Sequence, residues 1–339
     1  MSNSTNQKYR EFLDKLEFYF KETVGLSDKE VAQEFIKTLN KSKRVFFTAT
    51  GSSIPSALYG SQFCSEKLNL AAQFVPNGQI LSSRLNSDDL VILSSQGLNR
   101  GDAELVIKKV KEDGAKLVVL TANQESLLAK FADFVFYFAP FPEKLFCRPV
   151  GVQTAILAMQ IILTGNYDPK ILEKAVIKNR NIFDQNTKYI VLSSGVGMPV
   201  AINYSLALRE GCGIDANYYD IETYGHGMYV SDKTLEQKGQ KLCYILINID
   251  SDSHCNASVQ RITKFTNDSS TICINSKLLI PYCYYEILTN LAEDVYATNI
   301  ANNYDMNQPF GKEQNRYYHN SQAYLLPKKY LNWAKKKTN

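Results

Sequence analysis

Two clusters of neutral hydrogen-bond donors and one carboxylate–imidazole pair are where this sequence could do chemistry. Thr50-Gly51-Ser52-Ser53-Ile54-Pro55 sets two serine hydroxyls and several backbone N–H groups at the start of a helix, where the helix dipole also favours negative charge. Ser94-Ser95-Gln96-Gly97-Leu98-Asn99 offers a second set of donors just before a helix beginning near Gly101-Asp102. Ser and Asn are also ordinary helix caps and turn formers, so one such cluster alone would carry little weight. Two of them at successive strand ends suit a phosphate held mainly by uncharged donors, with Gly51, Ser52, Ser53, Ser94, Ser95, Gln96 and Asn99 as its candidate ligands. Gly51 is followed by serines rather than by another glycine, and G-K-[ST] is absent. Neither a dinucleotide nor a nucleoside triphosphate is expected.

The carboxylate is Glu210, and sixteen residues after it comes His226, inside Glu222-Thr223-Tyr224-Gly225-His226-Gly227. A carboxylate beside an imidazole is the minimal equipment for moving a proton between neighbouring carbons and an oxygen. His226 lies between glycines that give its ring little apolar cover, whereas His254 and His319, the other two histidines, sit in polar, loop-like surroundings and read as solvated. A lone histidine is more often structural than functional, so the pairing with Glu210 matters more than the imidazole itself.

These groups need a frame, and the chain repeats one. Lys43 to Glu66 and Lys188 to Glu210 read alike: an apolar run meets a glycine (Gly51, Gly195), Pro follows four residues later (Pro55, Pro199), and Glu follows eleven after that (Glu66, Glu210). Strand, glycine turn and Pro-started helix form the βα unit that opens a ligand-binding sheet. Continuous apolar runs mark further strands near 72–75, 90–93, 117–121, 134–138, 216–219, 242–247 and 270–274, separated by helical stretches. Such runs suit parallel sheets covered on both faces, and the alternation predicts an α/β fold of two doubly wound parallel-sheet domains in tandem. The expected organisation is N-terminal helices over 1–40, a first domain over 41–165, a linker over 166–186, a second domain over 187–300 and a tail over 301–339.

At 339 residues, with 45% hydrophobic and 21% charged residues, both halves can bury a core. The net charge of +4 is small and spread out, so nucleic acid is not indicated, and the Lys335-Lys336-Lys337 run reads as a solvated end. The polar N-terminus and the lack of a long apolar run argue against a leader or a membrane span and for a cytoplasmic protein. The seven cysteines are scattered without a C-x-x-C pair and read as reduced and mostly buried.

From about residue 40 to 320 the chain resembles the double SIS (sugar isomerase) family of phosphosugar isomerases, deaminases and deglycases, which includes the isomerase half of glucosamine-6-phosphate synthase. Gly51-Ser52-Ser53 matches the family's G-T-S turn, Ser95-Gln96-Gly97-Leu98-Asn99 its phosphate loop, and Thr121-Ala122-Asn123 with Ser126-Leu127-Leu128-Ala129 and Asp133 the approach to its fifth strand. Glu210 and His226 keep the family's spacing between a helix-end Glu and the His of E-x-x-H-G-P. The resemblance implies flavodoxin-like domains, Glu210 as the base that shuttles a proton between C1 and C2, His226 as the group that opens the sugar ring, and a lysine at the open-chain sugar for which Lys312 is the nearest candidate. Departures are Ala207 in place of a lysine three residues before the Glu, Met228 in place of Pro, and Glu222 four rather than three residues before the His.

The resulting expectation is an enzyme acting on a hexose 6-phosphate, or its amino-sugar counterpart, by isomerisation, deamination or deglycation, without metal or redox cofactor. Its first repeat would grip the phosphate, its second would handle the proton, and Glu66 would be structural. No cysteine nucleophile follows Met1, so glutamine-dependent synthesis by this chain is not expected. The resemblance also implies a homodimer. The alternative is a sugar-phosphate sensor that keeps the binding fold without turnover, to which Ala207 and the altered phosphate loop would belong.

Overall fold

A computed structural model describes residues 4–98, 101–139, 149–167, 180–266 and 270–305. Along the chain the elements are α1 (Ser4–Leu13), α2 (Leu16–Gly25), α3 (Lys29–Lys41), β1 (Arg44–Thr48), α4 (Ile54–Lys67), β2 (Ala72–Phe74), α5 (Asn77–Ser82), β3 (Asp89–Ser94), α6 (Gly101–Glu112), β4 (Lys116–Thr121), β5 (Phe134–Tyr137) and α7 (Pro149–Thr164). They continue with β6 (Thr187–Ser193), α8 (Met198–Cys212), β7 (Ala216–Asp220), the single turn α9 (Ile221–Thr223), α10 (Tyr229–Gln237), β8 (Lys241–Ile249), α11 (Ser253–Thr266), β9 (Ser270–Ser276) and α12 (Tyr282–Ala301). The chain divides into two compact units. One is built from the described residues of Glu17–Pro142 and Thr154–Tyr167, the other from those of Met1–Leu16, Glu143–Gln153 and Asp168–Pro309.

The first unit holds a parallel sheet in the order β2-β1-β3-β4-β5, the flavodoxin-like order. Its connection direction reverses between β1 and β3, which pair with Thr48 opposite Leu93, so the switch point of the sheet lies at the ends marked by Thr48 and Ser94. All six residues of β3 are buried, as its unbroken apolar run requires. One face packs Phe46, Val91, Leu93, Leu117 and Val119 against Ile80, Val106, Ile107 and Val110 from α5 and α6. Asp133 fixes the fifth strand by accepting from the Leu117 N–H (2.8 Å) at the start of β4. Arg44 forks onto Asp89 at the opposite, N-terminal end of β1 and β3 (2.8 and 2.6 Å), away from the switch point.

The second unit holds a parallel sheet in the order β7-β6-β8-β9, four strands among the described residues. Here α1 joins α12, where Arg10 grips both oxygens of Glu293 (2.8 Å each). Asp294 on α12 accepts from the Asn181 backbone and side chain and from the Tyr204 hydroxyl on α8 (2.8, 2.9 and 2.8 Å). Burial holds its carboxyl above the ordinary value despite these donors. No helix of the described residues is long and apolar enough to cross a membrane.

Every strand expected from apolar runs is present. Four local features differ. The N-terminal region forms three helices, broken at Asp14 and Lys15 and again between Gly25 and Lys29. The connection between β4 and β5 carries only a short 3-10 turn, Leu127–Phe131, capped by Ser126, where the alternation called for a helix. A short helix, α5, follows β2. His254 lies in the first turn of α11 rather than in a loop.

Candidate functional site

In the first unit, chain direction changes sharply after β1. Gly51 adopts φ +56, a left-handed conformation that costs an L side chain about 1–2 kcal/mol, and a Cβ there would meet nothing within 4 Å. One 3-10 turn, Gly51–Ser53, then feeds α4, with Pro55 in its first turn, where the missing N–H costs no bond. Ser52 and Ser53 are half-buried at this turn. The Ser53 carbonyl accepts from Ser56 Oγ (3.0 Å), and Ser56 Oγ lies 2.8 Å from Ser94 Oγ. Ser94 is thus buried, and its hydroxyl ties the end of β3 to α4.

The loop after β3 is anchored through its carbonyls. Those of Gln96, Gly97 and Leu98 accept from Thr121 Oγ1 (3.0 Å), Asn123 Nδ2 (2.8 Å) and Ser126 Oγ (2.7 Å) at the end of β4. Leu98 takes φ +41, a strained value for a bulky residue, and such strain concentrates at functional sites. Ser95 Oγ accepts from the Leu98 N–H (3.3 Å). The Gln96 Nε2 amide is buried and has no hydrogen-bond partner among the described residues. A buried donor left unpaired costs about 1–3 kcal/mol, which a ligand oxygen would offset. The structure therefore brings Gly51, Ser52, Ser53, Ser95 and Gln96 to adjacent strand ends. Asn99 lies outside the described residues.

The second unit reproduces the turn in different residues. Thr50 and Ser194 have φ/ψ of −133/154° and −143/153°, Gly51 and Gly195 φ of +56 and +50°, and Ser53 and Gly197 φ/ψ of −87/−13° and −79/−15°. The loss of the Ser53 hydroxyl there has a packing cause. A Cβ on Gly197 would stand 1.9 Å from Ser193 Oγ, which is buried and bonded to the Ile247 carbonyl (2.8 Å). The first copy has Ala49 at the place of Ser193, and Ser53 at the place of Gly197. Val196, at the place of Ser52, is buried, and its carbonyl accepts from Tyr284 (2.6 Å).

Glu210 is half-buried in the last turn of α8, which Gly213 closes in left-handed conformation. Ala207, one turn earlier, is buried. His226 is exposed, in a kink between α9 and α10 where Gly227 takes φ +125. The kink is held on both sides. Asp220 caps the Glu222 and Thr223 N–H groups (3.0 and 3.2 Å), Glu222 pairs with Arg261, and Lys188 reaches the buried Asp232 of α10 (2.7 Å). Tyr224 is buried against Tyr244 (3.1 Å between hydroxyls), and burial pushes its hydroxyl pKa upward. Among the described residues the His226 side chain makes no hydrogen bond, so no such bond joins it to Glu210. Lys312 lies outside the described residues. Sequence reasoning missed Ser56, Asn77 and Asp102, whose partners lie up to 52 residues away, and the Ser194–His254 contact (3.0 Å).

Strand order defines two parallel α/β units, the first with hydroxyl and amide donors at its strand ends. Known proteins place it further. The SIS domain family matches residues 38–163, the first sheet and its helices. Among curated proteins, glutamine–fructose-6-phosphate aminotransferase (isomerizing) of Sulfurisphaera tokodaii is 24% identical over 227 residues, 61% of this chain but 38% of the relative. The match thus spans less than two fifths of that relative's length. Among solved structures, tagatose-6-phosphate ketose/aldose isomerase from Escherichia coli aligns with TM-score 0.71 at 11% identity, over 91% of this chain and 97% of that one. Glucosamine-6-phosphate deaminase from Thermotoga maritima aligns with TM-score 0.63 at 17% identity, over 88% and 96%. At these identities the structural likeness shows the fold. Residues 38–163 thus match an SIS domain, and the chain is similar in sequence to part of the isomerizing aminotransferases.

Proposed function

We propose that the protein binds a hexose 6-phosphate, or its 2-amino counterpart, and moves a proton between C1 and C2, as an aldose–ketose isomerase or an amino-sugar-phosphate deaminase. The observation that carries the phosphate assignment is the buried Gln96 amide, unpaired among the described residues, which follows β3 as the open Gly51 turn with Ser52 and Ser53 follows the adjacent β1. Neutral donors converging at a helix start hold a phosphate without a competing cation. Anchoring the substrate's far end turns binding energy into orientation of its reacting carbons.

Glu210 acts as the base: its carboxylate takes the proton from the carbon beside the carbonyl, giving a cis-enediol or enolamine, and returns it to the neighbouring carbon. His226 assists ring opening by exchanging a proton with the ring oxygen. A second subunit and Lys312 complete the assignment that family resemblance implies.

Incubation in deuterated water with fructose 6-phosphate, glucose 6-phosphate or glucosamine 6-phosphate tests this. Deuterium should appear at C1 or C2 and vanish in Glu210→Gln while binding persists. Binding without exchange in the unaltered protein would make it a sensor instead, a role compatible with the buried Ala207.

A further inference from the structure

Gly51 is exposed and no atom packs where its side chain would project, so no contact at that residue holds the shape of the turn. What holds it is a tie at each end. Ser56 secures the far end through the Ser53 carbonyl and Ser94. At the near end Thr50 Oγ1 donates to Asp102 Oδ2 (2.9 Å), and Asp102 is the second residue of α6. The same carboxylate oxygen accepts from Asn77 Nδ2 (3.1 Å), and Asn77 Oδ1 accepts from the buried Thr48 hydroxyl (2.8 Å). The turn and α5 therefore meet at one carboxylate oxygen of α6, and Asn77 carries the link on to the strand end.

The second unit supplies an internal comparison. There Ser194, at the place of Thr50, bonds His254 Nε2 (3.0 Å), and His254 is likewise the second residue of the helix after the neighbouring strand. Thr–Asp and Ser–His pairs share neither residue type nor charge. What both units keep is the tie.

We propose that Asp102 is a positioning residue for the phosphate turn, acting through Thr50 as a hydrogen-bond acceptor and not through its charge; this rests on the reading of the first unit's strand ends as a phosphate site. Held by Thr50, the turn presents the Gly51–Ser53 backbone and hydroxyls as one convergent set. Released, it samples other conformations, and a phosphate must then order it on binding. The carboxylate's charge works the other way, since an anion near that site repels a phosphate.

The two effects have opposite signs, which makes the proposal testable. Binding of fructose 6-phosphate, glucosamine 6-phosphate and inorganic phosphate is measured by calorimetry on the full chain, with turnover where it occurs. Asp102→Ala should weaken sugar-phosphate binding roughly tenfold and raise KM more than it lowers kcat. Asp102→Asn keeps an oxygen acceptor without the charge and should bind at least as tightly as the unaltered protein. Thr50→Val, at an exposed position, should match Asp102→Ala, and the double variant should be no weaker than either single one. A lowered thermal midpoint with unchanged affinity in Asp102→Ala and Thr50→Val, or tighter binding by Asp102→Ala, overturns the proposal and leaves the phosphate site standing. If the unaltered protein binds none of the three ligands, the phosphate reading itself fails, and this proposal with it.

Discussion

Gly51 and Gly78 offer a test of how this chain forms the turn after β1, because space is equal at the two sites and backbone conformation is not. A Cβ at either position would meet no atom within 4 Å, so neither substitution by alanine creates a clash. Gly51 stands at φ +56, whereas Gly78 lies within helix α5. For Gly51→Ala the left-handed conformation costs about 1–2 kcal/mol, partly offset by about 0.5 kcal/mol from stiffening the unfolded chain, leaving a loss near 1 kcal/mol. For Gly78→Ala the helix gains about 0.5–1 kcal/mol, since Ala loses less backbone entropy and prefers the helix. The two variants should therefore differ by about 1.5–2 kcal/mol, or several degrees in thermal midpoint. Calorimetric or urea-induced unfolding of the full chain reads the difference directly. Sugar-phosphate binding provides the second readout and should fall only in Gly51→Ala. If both variants shift in the same direction, or if Gly51→Ala unfolds like the unaltered protein, then φ at Gly51 does not control the turn and the reasoning fails.

Two further outcomes follow from the second unit. Gly197→Ala drives a methyl against Ser193 Oγ and should cost about 1–3 kcal/mol, and adding Ser193→Ala should recover part of that loss; equal stability of the single and double variants would refute the exchange of volume between these positions. Because burial raises the Asp294 carboxyl above its unfolded value, the stability it contributes is fully present below the ordinary carboxylate range and is lost as pH rises through the folded value. The stability advantage of the unaltered protein over Asp294→Asn should accordingly shrink as pH rises above the ordinary carboxylate range, and denaturant unfolding over a rising pH series would contradict the assignment if the gap widened.

The strands were legible because parallel strands covered on both faces must be apolar along their whole length, as β3 shows with six buried residues in a row. The turns at Gly51 and Gly195 were legible because glycine followed at four residues by proline encodes a left-handed step and then a helix start, both local properties of the backbone. The kink at His226 and the short α5 were not, since neither carries enough periodic residues to declare itself.

What the sequence alone determined, then, is the repeated βα unit, the donor-rich strand ends and the Glu210–His226 spacing. The tertiary structure decided which of those donors are committed. Ser94 turns inward to Ser56, Gln96 keeps an amide unpaired among the described residues, and Asp102 takes the hydroxyl of Thr50 across 52 residues of chain. It also explains why Gly197 stands where the first turn has Ser53: Ser193 occupies the volume that Ala49 leaves open in the first. Strand and turn formation depend on neighbours in the chain, whereas a hydroxyl's partner depends on which strand lies alongside and in what register, and only the assembled sheet sets that.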